Sequence, residues 1–332
     1  MASDVGIDVG IIFRIHPFEL VTDKRYGKPP ASRTLSELLD SGFIAIDKPV
    51  GPSSHQVSGI VANILGIKKT AHLGTLDPNV SGVLPILLGK ATKAVHYLMQ
   101  HDKEYIGVAG FKENVNEKEV KEVFRHFHGD IIQIPPVGAA VARKPRKRHI
   151  YSIKIMDINE KRVRFRVRCE AGTYIRTLVD DMGKHMKNPA KLIELRRTMV
   201  GSITEKDLVT LDELREAVSL WKGEGEKGDE TKIRRIVRPI EEITEGKKKI
   251  WVLDGAVDAI CSGAQLTVPG IAKLSDDIEK YDIVCMMTLK GELVAFGTAL
   301  MSSKEMVSNK KGTAVKISRV MMPRGTYPRR WK

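Results

Sequence analysis

The sequence has few cysteines, few aromatic residues and no long apolar run. Its three cysteines, Cys169, Cys261 and Cys285, are spaced too widely for a zinc motif or a disulfide framework. Apolar runs such as Ile283–Met287 are short, whereas a membrane-spanning helix needs roughly 20 apolar residues. The amino terminus lacks the basic and apolar segments of a signal peptide. We therefore expect an intracellular protein without a membrane segment.

What is present is typical of a folded protein with an excess of positive charge. Hydrophobic residues make up 42% of the 332 residues and charged residues 29%, which suits a globular chain of about two domains. Fifty-five basic and 41 acidic residues give a net charge of +14. Residues 143–176 alone contain 12 basic and 3 acidic residues. Such a concentrated patch favours a polyanionic partner, with nucleic acid the first candidate and a solvated surface the alternative.

Strands and helices alternate in the predicted central part of the chain. Gly42–Lys48 has the composition of a buried strand that ends at Pro49, and Ser53 or Ser54 can cap a helix that runs to about Leu65. A loop follows over residues 70–82. The further elements predicted in this part are strands at Val83–Leu88, Lys103–Phe111 and Lys161–Arg168, and helices at Ala91–Gln100, Glu117–Phe127, Thr173–Met186 and Thr210–Leu220.

The basic segment divides into two parts. Residues 143–149 carry too many charges to fold inward, so we predict a polar loop there. Between residues 161 and 168, arginines alternate with apolar residues, which indicates a strand. Its outer face would present guanidinium groups about 7 Å apart, a spacing that suits a row of phosphates. An exposed strand of any function could carry the same row.

The C-terminal part is predicted to be a small β-barrel of about 80 residues that begins near residue 248. Lys290-Gly291 is a hairpin signal between two of its strands. Solvated breaks occur at Lys222–Asp229 and Glu245–Lys249. The predicted strands are Ile250–Leu253, Gln265–Val268, Ile283–Leu289, Leu293–Leu300 and Ala314–Val320.

Two segments contain side chains suited to catalysis. Asp77 precedes a proline in a glycine-containing loop, where a carboxylate can act as a nucleophile or base, although Asp-Pro also simply begins many turns. Arg176 follows Gly172 and Tyr174 at a predicted helix start and can pair with a carboxylate or phosphate, or remain a surface arginine. Neither segment by itself decides between these alternatives.

Considered together and in order, six segments resemble the TruB family of RNA pseudouridine synthases, and within it the guide-dependent dyskerin branch. The resemblance covers about residues 40–330 and extends to a C-terminal PUA domain. The segments are Asp47-Lys48-Pro49, Gly51-Pro52-Ser53-Ser54-His55, His72-Leu73-Gly74-Thr75-Leu76-Asp77-Pro78, Lys103-Glu104-Tyr105, Gly172-Thr173-Tyr174-Ile175-Arg176 and Leu195-Arg196-Arg197-Thr198.

The resemblance implies an α+β fold, with a mixed sheet flanked by helices and a small β-barrel after it. It divides the chain into an N-terminal arm (1–40), a catalytic domain (41–248) and a PUA RNA-binding domain (249–332). The active cleft is expected between Asp77 and the sheet that carries Arg162–Arg168.

The resemblance also assigns a role to each matching residue. Asp77 is the expected catalytic aspartate, Tyr105 stacks on the target base, and Arg176 pairs with Asp77. Tyr174 and Leu195 are expected beside the base. The other assignments are His72 near the flipped nucleotide, Lys48 and Pro49 as supports of the active-site loop, and Arg143, Lys144, Arg146, Lys147 and Arg148 as RNA-binding residues.

The implied reaction is isomerisation of uridine to pseudouridine, for which no cofactor and no metal are expected. The segment Phe111–Glu117 is shorter than in bacterial members, which grip transfer RNA with longer insertions. We therefore expect an H/ACA guide RNA and small H/ACA proteins to position a ribosomal RNA substrate. The alternatives are a guide-independent synthase for uridine 55 of transfer RNA and a non-catalytic RNA-binding scaffold. The expected location is the cytoplasm of an archaeon, or the nucleolus if the chain is eukaryotic.

Overall fold

The computed structural model describes residues 10–14, 20–136, 142–223 and 228–329. The chain divides into two densely packed units. The central unit consists of residues 44–87 and 98–236, and the C-terminal unit of residues 1–43, 88–97 and 237–332. Because this division reflects packing and not function, the expected division at residues 40 and 248 stays a prediction.

The strands of the described residues are numbered here in chain order. They are β1 (Ile11–Phe13), β2 (Gly42–Lys48), β3 (Thr70–His72), β4 (Ser81–Leu88), β5 (Lys103–Phe111), β6 (Gly129–Gln133), β7 (Arg146–Asn159), β8 (Arg162–Cys169), β9 (Ala190–Val200), β10 (Ile203–Thr204), β11 (Arg238–Pro239), β12 (Lys249–Val252), β13 (Leu266–Thr267), β14 (Ile271–Ser275), β15 (Ile283–Thr288), β16 (Leu293–Ala299) and β17 (Thr313–Val320).

The helices are α1 (Leu35–Ser41), α2 (Ser54–Leu65), α3 (Val95–Leu98), α4 (Glu117–His126), α5 (Ile175–His185), α6 (Leu211–Lys222), α7 (Thr231–Ile236), α8 (Asp254–Cys261) and α9 (Ser303–Ser308). Side-chain caps mark several of their starts, as expected for residues whose oxygen accepts from a free backbone N–H. Ser53 caps α2, Asn116 caps α4 and Thr210 caps α6. Within the described residues, no helix is long and apolar enough to cross a membrane.

The central unit is built on a mixed sheet with the strand order β2-β4-β9-β5-β8-β7-β6. β4 and β9 run parallel, whereas β5 is antiparallel to both β8 and β9. Every second residue of β5 and of β8 is buried, because alternate side chains of a strand point to opposite faces. Phe124 of α4 and Leu178 of α5 belong to the core on the buried face. The predicted α+β fold is thereby confirmed.

The C-terminal unit contains a second mixed sheet with the strand order β1-β14-β12-β15-β16-β17-β13. Ile250, Val284 and Val294 lie in its core, together with residues of α8 and α9. The five strands predicted here correspond to β12, β13, β15, β16 and β17. β14 and α8 are additional, and β1 shows that part of the expected arm pairs with β14 in this sheet.

Three secondary-structure predictions need comment. The helix expected over Ala91–Gln100 is a 3₁₀ segment (Gly89–Ala94) followed by the short α3. The polar loop expected over residues 143–149 is wrong from Arg146 onward, because β7 begins there and Arg146 to His149 pair with β6. Backbone pairing with a neighbouring strand therefore outweighs the charge of these side chains. Of the predicted break at Lys222–Asp229, residues 224–227 lie outside the described residues.

Candidate active site

Asp77 lies on the exposed loop between β3 and β4 in the central unit. The backbone amide of Val80 donates to the Asp77 carbonyl (3.0 Å), which closes a tight turn around the Asp-Pro pair. Ser54, at the start of α2, both accepts from the amide of Leu76 (2.7 Å) and donates to its carbonyl (2.9 Å). The carboxylate is thus held on a loop whose backbone is fixed on its amino-terminal side.

Lys48 fixes the other side of this loop. Its buried ammonium donates to the carbonyls of Pro78 (3.2 Å) and Val80 (2.7 Å), as well as to that of Pro49 (2.8 Å). Burial lowers the pKa of Lys48, the nearby Arg197 lowers it further, and Asp77 opposes both effects. The exposed Pro49 follows at the end of β2, and the amide of Gly51 also donates to Pro78 (2.8 Å).

Arg176 forms an ion pair with Asp77, and about half of each side chain is exposed, 52% and 53% respectively. Arg176 stands in the first turn of α5, whose N-cap residue, Tyr174, provides no side-chain cap. The buried Gln133 of β6 bonds the backbone of Tyr174 instead. Its side-chain amide accepts from the Tyr174 amide (3.0 Å) and donates to the Tyr174 carbonyl (3.1 Å). The start of α5, and with it Arg176, is thereby anchored to the edge of the sheet.

Tyr105 is buried in β5, with 7% of its surface exposed. It shares a hydrophobic cluster with Leu76, Val80 and Ile175, and Leu195 packs against that cluster. Leu76 and Val80 flank Asp77 on its loop, and Ile175 precedes Arg176, so one apolar cluster joins the three segments. Burial raises the pKa of the Tyr105 phenol, and the nearby charge of Arg197 partly offsets the shift.

His72 stands at the end of β3, before the loop that carries Asp77. Its Nδ1 atom is buried and has no hydrogen-bond partner among the described residues. Burial lowers its pKa, and the neighbouring Arg197 and His55 act in the same direction. The ring is therefore held in the neutral form more strongly than an exposed histidine.

The basic residues predicted to bind RNA differ in exposure. Arg143, Lys144 and Lys147 are exposed, and Lys147 is paired with Asp130 (2.7 Å). Arg146 is half-buried. Arg148 is also half-buried, because its guanidinium lies against Gly172, about 3.0 Å from where a Cβ would stand there.

The arginine row of β8 faces away from Tyr105. Tyr105 is opposite Val167, whereas Glu104 is opposite Arg168, and directly opposite residues of an antiparallel pair share a face. Arg168 pairs with Asp102 (2.5 Å) and Arg166 with Glu104 (3.4 Å). Part of the row is therefore neutralised on the far face of the sheet, away from the Asp77 loop.

Comparison with known proteins agrees with this geometry. The family model described as "TruB family pseudouridylate synthase (N terminal domain)" matches residues 62–119 and 110–175, and "tRNA pseudouridylate synthase B C-terminal domain" matches residues 176–245. A PUA domain matches residues 248–321, and a DKCLD domain matches residues 18–58. A curated relative from Pyrobaculum arsenaticum, named "Probable tRNA pseudouridine synthase B", is 44% identical over 94% of this chain and 93% of its own. The chain belongs to the TruB family of pseudouridylate synthases.

Two solved structures resemble this TruB-family chain over almost its whole length. A Cbf5-Nop10-Gar1 complex contains a chain with 42% identity and a TM-score of 0.91, covering 96% of this chain and 95% of that one. An H/ACA RNP bound to a substrate RNA containing 2'-deoxyuridine contains a chain with 40% identity and a TM-score of 0.89, covering 97% of each. The family membership makes the chain an isomerase, and it confirms the expected fold with a C-terminal PUA domain.

The structure of this TruB-family protein brings most of the predicted site residues into one region of the central unit. Asp77, Arg176 and Tyr105 lie on segments joined by a single apolar cluster, with Lys48 beneath the loop. The roles assigned to the individual residues stay predictions. Within the described residues, no three His, Cys, Asp or Glu side chains gather as a metal-binding group.

Two polar residues of this region were missed by sequence reasoning. Gln133 holds the start of α5, and Arg197 is fully buried behind the Asp77 loop. Nothing around Gln133 distinguishes it in the sequence from an exposed polar residue. Arg197 follows Arg196, and only the bulged register of β5 against β9 decides that Arg196 points outward and Arg197 inward.

Proposed function

We propose that this protein isomerises uridine to pseudouridine in RNA as the catalytic subunit of an H/ACA guide ribonucleoprotein. The observation that carries the proposal is the Asp77–Arg176 pair beside the buried Tyr105, in a chain that matches Cbf5 of a Cbf5-Nop10-Gar1 complex over nearly its full length. By that likeness, the expected partners are a guide RNA, its substrate RNA and small proteins equivalent to Nop10 and Gar1. The expected location is the cytoplasm of an archaeal cell.

In the proposed reaction, the N1–C1′ bond of the target uridine breaks and a C5–C1′ bond forms. The proton on C5 is released, and N1 gains one, so no group donor or redox partner is needed. Asp77 attacks the nucleotide or accepts its proton. Arg176 orients the carboxylate through a charge-assisted hydrogen bond. The uridine must first leave its stack, and the aromatic face of Tyr105 then holds the base.

The remaining residues are proposed to line this site, to support its loop or to bind RNA. Stacking on Tyr105 leaves the base free to turn in its plane. Tyr174 and Leu195 flank the base, and His72 lies beside the flipped nucleotide. Lys48 and Pro49 support the Asp77 loop. We propose residues 41–248 as the catalytic domain, which follows an N-terminal arm (1–40), and the PUA domain (249–332) as binding RNA outside the chemical step. The residues proposed to contact RNA near the site are Arg143, Lys144, Arg146, Lys147 and Arg148.

A guide-independent activity on transfer RNA is a second candidate function. It is favoured by the name "Probable tRNA pseudouridine synthase B" carried by relatives such as the one from Methanocaldococcus jannaschii, which is 46% identical over 95% of this chain and 93% of its own. The same side chains would perform the same chemistry. The two candidates differ only in what positions the RNA.

Release of tritium from C5-tritiated uridine tests both candidates. One reaction contains the chain and a transfer RNA transcript, and the other contains a ribosomal RNA fragment with a guide RNA and the partner proteins. Asp77→Asn is the control, and we expect it to bind RNA normally and release no tritium. Release from the guided substrate alone supports the guide-dependent function, and release from transfer RNA alone supports the second candidate. RNA binding without release from either substrate would contradict both.

A further inference from the structure

Arg197 is the largest fully buried side chain of the central unit, with 1% of its surface exposed. Its Nε donates to the carbonyl of Val83 (2.7 Å) and its Nη2 to that of Gly74 (3.0 Å). Tyr105 of β5 is the residue directly opposite Arg197 of β9, so the two side chains share a face of the sheet. No carboxylate pairs with Arg197 in the part of the chain that the structure describes.

An unpaired cation in a protein interior is costly, because burial removes its hydration without an opposite charge to replace it. Burial accordingly lowers the pKa of Arg197. An apolar side chain would fill the same space without that cost. The two carbonyl acceptors therefore indicate what the guanidinium is needed for, since its rigid fork can bond several oxygens at once.

The two carbonyl acceptors and the opposite residue Tyr105 belong to the two parts of the proposed site. Gly74 and Val83 lie before and after Asp77 on either side of the loop, and Tyr105 lies on the neighbouring strand β5. The backbone of Arg197 reinforces this arrangement at Gly82, where an added Cβ would collide with the Arg197 carbonyl oxygen and the backbone adopts a positive φ of +103°. β9 therefore contacts the Asp77 loop through both main chain and side chain.

Lys48 and Ser54 also bond the loop, but all of their hydrogen bonds go to backbone groups of the loop itself or of Pro49. Arg197 instead bonds carbonyls on both sides of Asp77 and lies opposite Tyr105 on the same face of the sheet. We propose that Arg197 is a positioning residue that fixes the ring of Tyr105 relative to the loop carrying Asp77. The proposal rests on the proposed function, because it concerns the separation between the catalytic carboxylate and the stacking ring. A base that must turn over between these groups depends on that separation, since small displacements in an active site reduce rates strongly.

The test compares Arg197→Lys with the matched substitution Arg196→Lys. Lysine keeps the charge at position 197 but lacks the fork that reaches both carbonyls. Arg196 is its partly exposed neighbour and pairs with Asp47 (2.9 Å) and Glu205 (2.6 Å). Measurements on each variant are the single-turnover rate at saturating guided substrate, the RNA dissociation constant, the thermal midpoint, and amide hydrogen exchange over residues 74–83.

We expect Arg197→Lys to lower the single-turnover rate about 10- to 100-fold, at temperatures well below its thermal midpoint. RNA affinity should stay within about two-fold of wild type, and amide exchange over residues 74–83 should become faster. Arg196→Lys should leave the rate and the exchange of this loop as in the wild type. In a Tyr105→Phe background, Arg197→Lys should cost less than it does alone, because the hydroxyl of the tyrosine opposite Arg197 is already gone.

An unchanged rate would overturn the proposal, as would unchanged exchange over residues 74–83. A rate loss that only follows the unfolded fraction, or that is fully additive with Tyr105→Phe, would assign Arg197 a purely structural role and overturn it as well. Failure of the proposed function would give a different result from failure of this proposal, because the wild-type chain itself would then release no tritium from either substrate.

Discussion

The two units stabilise their irregular segments with buried charges of opposite sign. In the central unit, the cations Lys48 and Arg197 donate to backbone carbonyls of the Asp77 loop. In the C-terminal unit, the buried carboxylates of Glu292 and Asp254 accept hydrogen bonds from the segment around residues 22–28. The difference concerns the fully buried charges, because carbonyls of the segment around residues 22–28 accept from the half-buried Lys290.

The Glu292 carboxylate also bonds buried side chains of its own unit. Glu292 accepts from the Lys28 amide (3.1 Å), the Tyr327 hydroxyl (2.7 Å) and the Thr288 hydroxyl (3.1 Å). Asp254 accepts from the Thr22 hydroxyl (2.8 Å) and the Asp23 amide (3.0 Å). We infer that the buried cations serve the proposed chemistry, whereas the buried anions serve the stability of their unit.

The largest expected effect is the loss of activity when the buried cation Lys48 is removed. Lys48→Met removes the donor to Pro78 and Val80, so we expect the Asp77 loop to lose its fixed position. The single-turnover rate of tritium release should fall about 100-fold, with RNA affinity nearly unchanged. The free energy of unfolding should change less, because losing a buried charge and losing its hydrogen bonds have opposite effects on stability. Lys90→Met, at an exposed lysine, is the control. Equal rates for the two variants would contradict the inference that the buried cations serve the proposed chemistry.

Removing a hydrogen-bond partner of the buried Glu292 carboxylate should instead lower stability and leave activity nearly unchanged. Tyr327→Phe removes a hydroxyl that donates to a buried carboxylate, so the free energy of unfolding should fall by about 2 kcal/mol, measured by urea denaturation. The single-turnover rate at saturating RNA should stay within about two-fold of wild type, because the hydroxyl belongs to the C-terminal unit. A loss of rate without a loss of stability would contradict the assignment of Glu292 to stability.

The three cysteines can locate this destabilisation. Burial raises the pKa of Cys169 in the central unit, and of Cys261 and Cys285 in the C-terminal unit, to about 12 in each case. Alkylation at neutral pH therefore requires opening of the surrounding structure. Tyr327→Phe should accelerate alkylation of Cys261 and Cys285 more than that of Cys169. Equal acceleration of all three would mean that the two units unfold together.

The smallest expected effect concerns an exposed anion at the start of α1. Hydrogen bonds from Lys28, and then from Thr34, lower the pKa of Glu37 to about 2 from its ordinary value of 4.5. Because the folded pKa is depressed, its contribution to stability is present above about pH 4.5 and is lost as the pH falls toward 2. The contribution should be below about 1 kcal/mol, since the pair is solvent-exposed. Glu37→Gln should flatten the pH dependence of stability in this window.

Much of the local structure could be predicted because it depends on short segments of chain. The bounds of β2, α2 and β5 agree with the prediction, since composition, a capping serine and strict alternation mark them in the sequence. The inward residues of β8 follow from the same alternation. β7 could not be predicted to begin at Arg146, because its pairing with β6 depends on residues distant in the chain.

The candidate site shows the same division. Asp77, Tyr105 and Arg176 were found because their segments match a family in order, and the structure places Asp77 against Arg176. Gln133 and Arg197 were missed because their importance lies in the backbone groups they bond, which no local pattern reveals. The arginine row of β8 was predicted as a strand face, but not its pairing with Asp102 and Glu104 across the sheet.

By itself, the sequence determined the family, the α+β fold, the order of most elements and the residue types available for catalysis, because these depend on composition, periodicity and short motifs. Only the tertiary structure decided which charges are buried and which backbone groups they serve. Lys48 and Arg197 became supports of the Asp77 loop, whereas Arg196 became a partly exposed ion pair. The physical reason is that burial and hydrogen bonding depend on strand register, and the bulge in β9 next to Arg197 sets which of two adjacent arginines lies opposite the buried Tyr105.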